Sequence, residues 1–112
     1  MFRADKRDAE LYALGALLDV AIIEKDDAAR AGSANENELV ERFVDIAHKI
    51  DRARPHSFAG VDVKRRLAHH LMREALDYPG EMELLTWAAE TALHVREDAD
   101  RVFLAEQQRQ AA

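Results

Sequence analysis

Residues 11–23 read LYALGALLDVAII, and this stretch decides the fold. A helix advances by about 100° per residue, so Leu11 and Leu18 share one side of it while Val20 lies well round from them. A helix that is apolar on all sides must be covered on all sides. Three partner helices in a small bundle leave one flank of this helix open. Each Leu or Ile that stays in water there loses the stabilisation of about 1.5–3 kcal/mol that burial would give. The stretch therefore predicts a homodimer formed through Leu11–Ile23; the alternative is a helix at the centre of a monomer.

The composition of the whole chain favours helices. With 112 residues, the chain is long enough for one compact domain, residues 1–112, and too short for two. It has four Gly, two Pro and few β-branched residues beside abundant Ala and Leu, so we predict an all-α fold. The absence of Cys excludes disulfides, thiolate zinc sites and cysteine nucleophiles.

Three breaks, GSANE, RPHS and YPG, divide the chain into four helical segments. The predicted helices run from about Asp5 or Asp8 to Ala31, from about Ala34 to Arg52, from Phe58 to about Asp77 and from about Glu81 to Gln108. Short connections favour antiparallel neighbours. We therefore expect a three- or four-helix antiparallel bundle with a long C-terminal helix.

The residues at these breaks have the chemistry of helix caps. Gly32 suits the C-terminal stop of the first helix. Ser33, followed by Glu36, has capping-box spacing for the second helix, and a start at Asn35 is the alternative. Ser57 is placed to cap the third helix after the break.

The third and fourth helices each have a broad apolar face that we expect to be buried. On the third helix this face comprises Phe58, Val61, Ala68, Leu71, Met72, Ala75 and Leu76. On the fourth it comprises Met82, Leu85, Ala88, Ala89, Ala92, Leu93, Ala99, Val102 and Phe103. Trp87 lies on the polar side of the fourth helix, about 160° from Leu85 and on the same side as His94. Because exposed Trp is enriched at binding hot spots, we predict that Trp87 and His94 bind a partner; the alternative is that Trp87 packs beneath the first helix or the YPG turn.

No pattern indicates catalysis, a metal or a cofactor. Helix bundles hold metals with carboxylate and His pairs on adjacent turns, but two of the three such pairs here face away from the predicted core. His70 and Glu74, at the edge of the third helix's apolar face, are the pair that could turn inward. Asp19, in the most apolar helix, is predicted to pair with an Arg or Lys of another helix. No phosphate-binding loop or Ser-His-Asp arrangement is present, so we predict no enzyme activity.

The stretch between Lys49 and Arg73 is basic in an otherwise acidic chain. It holds seven Lys or Arg and two acids, a local charge of +5, whereas the formal charge of the chain is −6. Such a segment could meet nucleic acid through Arg52, Arg54, Lys64, Arg65, Arg66 and Arg73. We favour acidic partners instead, because no aromatic residue lies among residues 64–66 to stack on bases. Arg65 and Arg66 are therefore predicted to bind a protein partner.

Residues 55–64, PHSFAGVDVK, carry a Pro-x-Ser/Thr-x-x-Gly-x-x-x-Lys pattern. In this pattern and in roughly residues 10–76, the chain resembles a loose family of small, uncharacterised helical proteins of alphaproteobacteria and their prophages. The resemblance implies a helical fold and a mobile-element origin, and it implies no activity. Phe58 departs from the smaller aliphatic residue common in that family. Read physically, Ser57 caps a helix and Gly60 lets another helix approach closely.

These observations predict a noncatalytic protein-interaction module: a small adaptor, inhibitor or regulator that acts as a homodimer on a protein partner. The alternative is a regulator that binds nucleic acid through the basic segment. The charge of −6 argues against binding to anionic membranes, and the apolar run of residues 11–23 contains Asp19 and is too short to span a bilayer. We therefore expect a cytoplasmic location.

Overall fold

The computed structural model describes residues 4–111. Its elements are a short 3-10 turn, Lys6–Asp8, and four α-helices: α1 (Ala9–Ala31), α2 (Glu36–Arg52), α3 (Phe58–Asp77) and α4 (Met82–Ala111). Among the described residues there is no strand. The all-α prediction with a long C-terminal helix is confirmed.

The helices form two antiparallel hairpins that pack on each other. α1 packs mainly along α2, and α4 mainly along α3, while α3 also contacts α1 and α2. The bundle measures 56 × 27 × 21 Å. Because α3 lies between α1 and α4, each of these two outer helices has one side that faces away from the rest of the bundle.

A single apolar cluster joins all four helices. Its buried members are Leu11, Leu18, Ala21, Phe43, Ile46, Ala47, Ile50, Val63, Leu67, Leu71, Ala75 and Ala88. On α1 these residues, Leu11, Leu18 and Ala21, are separated by seven and three positions, which keeps them on one side of the helix. The opposite side of α1 is left outside the core.

The predicted caps Gly32 and Ser57 make their hydrogen bonds, and at α2 the N-cap residue is identified although its side chain makes no capping hydrogen bond. Gly32 ends α1 in the left-handed region at φ 62°, and its N–H donates to the carbonyls of Ala28 and Ala29. Ser57 caps α3, since its Oγ accepts the N–H of Gly60 at 3.2 Å. At the start of α2 the cap position belongs to Asn35, so the alternative start is the right one.

The break before α3 is packed tightly against the start of the chain. Asp8 is buried, and its carboxylate accepts the His56 N–H at 2.9 Å and the Ser57 hydroxyl at 2.6 Å. Gly60 faces this carboxylate: a Cβ there would lie 2.8 Å from Cγ of Asp8 and 2.9 Å from Cβ of Pro55. The sequence motif around residues 55–64 is thus a docking point between α3 and the N-terminal turn.

The predicted phase of α4 is wrong. Met82, Leu85, Leu93 and Phe103, expected in the core, are 66%, 43%, 56% and 53% exposed. The side that packs inward comprises Leu84, Trp87, Ala88, Thr91, Val95, Asp98 and Val102. Of these, only Ala88 and Val102 were on the predicted face. α4 has apolar residues on two sides, and the buried side is the one whose polar groups find partners on α2, α3 and the segment between them.

The predicted face of α3 needs a smaller correction. Met72 and Leu76 are 36% and 73% exposed, whereas Val63, Lys64 and Leu67 are buried. The helix is rotated so that Lys64 faces inward, because a carboxylate of α4 lies there to receive its ammonium group.

Candidate functional site

Trp87 packs against the core rather than away from it. It is half-buried beside the apolar cluster, and its ring stacks on His48 of α2 with centroids 4.9 Å apart and 24° between the planes. Trp87 therefore packs within the bundle, as the alternative required, but its stacking partner is on α2 and not on the first helix or the YPG turn. The indole Nε1 is buried and has no hydrogen-bond partner within residues 4–111. That Trp87 binds a partner stays a prediction, but the helical phase on which it was based is wrong.

His94 lies at the contact between α4 and α2 instead of facing water alone. Its Nδ1 is 2.9 Å from a carboxylate oxygen of Asp51. This hydrogen bond raises the pKa of His94 above its usual value of 6.5. The imidazole is partly exposed, with 43% of its side chain accessible, so its predicted partner-binding role stays a prediction.

Lys64, the centre of the basic segment, is buried. Only 2% of the residue is exposed. Its Nζ donates to the carbonyl of Ala53 at 2.9 Å and to Asp98 at 2.6 Å. A buried ammonium with both partners supplied by the protein has no free surface for a phosphate, and its function here is to join α3 to α4.

The two arginines that follow are ion-paired on the surface. Arg65 donates to Asp62 at 2.8 Å, one turn away on the same helix. Arg66 reaches α1, where its guanidinium donates to both oxygens of Asp19 at 3.0 Å. The prediction that Asp19 pairs with a basic residue of another helix is confirmed. Neither arginine is an unpaired charge on an open face.

The other three basic residues are more open. Arg52 is exposed and donates to the carbonyl of His48 at 3.2 Å. Arg54 and Arg73 are exposed and have no ion-pair partner among residues 4–111. The structure therefore does not bring the six basic residues together as one charged face.

A buried ion-pair cluster joins α1 to α3 near the other end of the bundle. Nζ of Lys25 donates to Glu74 and, at 2.9 Å, to Asp26, and lies 4.9 Å from the ring centre of Phe43. Burial lowers the pKa of Lys25, but the two carboxylates outweigh it and hold the pKa above its usual value. The ammonium therefore stays protonated, which makes it neither a nucleophile nor a base near neutral pH.

His70 turns inward beside this cluster, as the sequence allowed. Its Nε2 is 3.1 Å from Glu74, and its ring meets Phe43 edge-on at 5.2 Å. Burial and the neighbouring Lys25 lower the pKa of His70. Within residues 4–111 no three His, Asp or Glu side chains converge as metal ligands. The cluster adjoins an open cavity of about 290 Å³ whose walls include Phe43, Glu74 and Trp87.

Sequence reasoning missed Lys25 and the burial of Lys64, although a signal was present. Lys25 follows Leu18 by seven residues and Lys64 precedes Leu71 by seven, which places each on the buried side of its helix. A lysine in phase with core residues indicates a carboxylate on a neighbouring helix.

The largest uncovered apolar area on α1 lies opposite its core side. Leu17, Val20 and Ile23 are 53%, 52% and 61% exposed, and Ala13 and Ala16 beside them are also exposed. These five residues, the α1 face, lie within about 120° of one another around the helix. Contiguous exposed apolar patches of this kind mark interaction sites in soluble proteins.

None of the helices within residues 4–111 combines the length and apolar character needed to cross a membrane. Comparisons with protein-family models, with curated proteins and with solved structures each find no match to this chain.

Proposed function

We propose that this chain is a noncatalytic protein-interaction module, a small adaptor, inhibitor or regulator, that acts as a homodimer through the α1 face. One observation carries the proposal: Leu17, Val20 and Ile23 each leave more than half of their surface in water on a helix whose other side is fully packed. A second copy provides the same apolar surface, so the two faces are self-complementary about a twofold axis.

The polar residues support a noncatalytic role. The side chains that the sequence offered for chemistry are engaged in ion pairs between helices: Asp19 with Arg66, and Glu74 with Lys25. Such pairs fix the orientation of the helices and leave no base poised beside a nucleophile. A prophage or other mobile-element origin rests on the resemblance of residues 55–64 alone.

The dimer is tested by measuring mass in solution with light scattering after size exclusion. At micromolar concentration we expect twice the chain mass of 12.7 kDa. Val20 is the middle residue of the three, and burying its exposed half contributes about 1 kcal/mol per copy. Val20→Glu would remove this from both copies and bring two carboxylates together, so dimer affinity should fall by more than about tenfold.

Val40 provides a matched control, since it is a valine on α2 that is 39% exposed. Val40→Glu should remain a dimer, with the same mass in solution as the wild-type protein. A wild-type monomer across the micromolar range, or equal dissociation by both variants, would contradict the α1 dimer.

The alternative, nucleic-acid binding, has less support because Lys64 is buried and Arg65 and Arg66 are ion-paired. Only Arg52, Arg54 and Arg73 remain for phosphates. If this alternative holds, affinity for duplex DNA falls steeply with added salt. No binding at low salt would remove it.

A further inference from the structure

The cavity beside the Lys25 cluster lies at the end of the bundle where all four helices come together. Residues of α1, α2, α3, α4 and the YPG turn line it. Its volume of about 290 Å³ is close to the lower limit for sites that bind small organic molecules, roughly 300–1,000 Å³. We call it the end cavity.

The wall of the end cavity is mainly apolar and aromatic. Six of its side chains are Val40, Phe43, Val44, Leu71, Leu84 and Trp87. Tyr78, which also lines it, is 57% exposed. Walls of this kind with a few polar groups are typical of small-molecule sites, because they remove the apolar body of a ligand from water.

The charged groups in the wall are predominantly acidic. They are Asp26, Glu36, Glu74 and Lys25, which together carry a formal charge of −2. Nζ of Lys25 already donates to Asp26 and Glu74, and only 8% of this residue is exposed. An anion could reach the ammonium only by displacing its two carboxylates, so the end cavity disfavours anions.

Glu36 is the carboxylate in the wall that remains available to a ligand. Its spacing from Ser33 predicts a capping box, but the Ser33 hydroxyl donates to the side chain of Asn35 instead, at 2.6 Å. Within residues 4–111 the Glu36 side chain has no hydrogen-bond or ion-pair partner, and the residue is half-buried. A partly buried carboxylate beside an apolar wall favours a ligand that brings a positive charge.

We propose that the end cavity binds a small organic cation, a molecule with an apolar or aromatic body and one ammonium group. The body fills the apolar wall, and the ammonium group pairs with Glu36. The aromatic rings in the wall add to this preference, because the face of an aromatic ring attracts cations. The inference goes beyond the proposed function, since it assigns the module a small-molecule site that does not depend on the α1 face.

Four commercial compounds test the proposal: phenylbutylamine, phenylbutanol and phenylbutyrate share one apolar body, and butylamine has the ammonium group without the ring. Isothermal titration calorimetry measures each Kd. We expect phenylbutylamine to bind with a Kd below about 1 mM, at least about threefold more tightly than the alcohol. Phenylbutyrate and butylamine should each bind at least about tenfold more weakly than phenylbutylamine. No binding of phenylbutylamine, or equal affinity for it and any of the other three compounds, would overturn the proposal.

The fluorescence of Trp87 shows whether the compound occupies the end cavity. Trp87 is the only Trp of the chain and lines the cavity, so its emission should change as phenylbutylamine binds, with the same Kd as calorimetry gives. Binding with no change in this emission would place the compound elsewhere and would overturn the proposal.

A pair of variants separates pairing with Glu36 from general attraction to an acidic protein. Glu36→Gln should lower affinity for phenylbutylamine at least about threefold and leave affinity for phenylbutanol unchanged. Glu38→Gln is the matched control: it removes the same charge from an exposed residue of the first turn of α2 that does not line the cavity, and it should leave both affinities unchanged. Circular dichroism of both variants should show the wild-type helix content. An equal effect of the two variants on phenylbutylamine would mean attraction by overall charge and would overturn the proposal.

Discussion

Removing the carboxylate of Asp98 should destabilise the protein more than removing its partner, Lys64. Nζ of Lys64 lies 2.6 Å from Asp98 and 2.9 Å from the carbonyl of Ala53, in a residue that is 2% exposed. Asp98 also accepts a hydrogen bond from Arg101 at 3.1 Å, and Arg101 donates to the carbonyl of Pro55 at 2.8 Å. The network joins α3, α4 and the segment between α2 and α3.

The magnitude follows from which charge each substitution leaves without a partner. Asp98→Ala leaves a buried ammonium with only a carbonyl to neutralise it, which costs about 3–5 kcal/mol. Lys64→Met replaces the ammonium with an apolar group of similar length, and Asp98 keeps Arg101, so the cost is the lost partner of the Ala53 carbonyl, about 1–3 kcal/mol. The double variant Lys64→Met/Asp98→Leu leaves no buried charge and should recover much of the loss.

Urea denaturation followed by circular dichroism measures the free energy of unfolding of the four proteins. A loss of about 3 kcal/mol corresponds to a fall in Tm of more than about 10 °C for a chain of this size. If Asp98→Ala costs under about 1 kcal/mol, or if Lys64→Met costs more than Asp98→Ala, the ammonium is not buried as described and the basic segment regains a cation for phosphate binding.

Four further predictions concern packing and pH. Gly60→Ala should lower the free energy of unfolding by about 1–3 kcal/mol, because the added Cβ would lie 2.8 Å from Cγ of Asp8. Gly80→Ala is the control and should change this free energy little, since nothing lies within 4 Å of a Cβ there. Urea titration of the two variants measures the difference. Trp87→Ala should lower unfolding free energy by about 3 kcal/mol, since the ring packs on the core and on His48; a loss of partner affinity with unchanged stability would instead support a surface role. The pKa of His70 lies below 6.5, so the unfolded chain binds more protons beneath that pH and stability falls on acidification; His70→Gln should reduce this fall. The pKa of His94 lies above 6.5, so its contribution to the free energy of unfolding is fully present below pH 6.5 and is lost as pH rises through the folded-state pKa. His94→Gln should therefore lower stability at about pH 5.5 and leave it unchanged at about pH 9. Urea titrations across this pH range measure stability for both histidine variants. If each variant has the same dependence of stability on pH as the wild type, both pH predictions are contradicted.

Helix positions could be predicted because local chemistry determines them. Gly32 stops α1 with a positive φ, Ser57 caps α3, and the YPG turn separates α3 from α4 at the expected place. Each of these effects acts over a few residues, so the sequence alone contains the information.

The orientation of the helices was harder to predict because it depends on distant partners. α4 has two apolar sides, and residues on either could fill a core. The choice depends on Asp98 meeting Lys64 and on His94 meeting Asp51, pairs separated by 34 and 43 residues. The open flank of α1 was predicted, since a helix apolar on all sides needs more cover than three neighbours provide.

The central claim, that two copies meet through the α1 face, is tested most directly by site-specific cross-linking. Because the chain has no Cys, Val20→Cys introduces a single thiol at the middle of the face. With a short bifunctional maleimide at micromolar protein, Val20→Cys should give a covalent dimer, while Ala105→Cys, exposed on α4, should remain a single chain. Failure of Val20→Cys to cross-link, or equal cross-linking of the two variants, would contradict the claim.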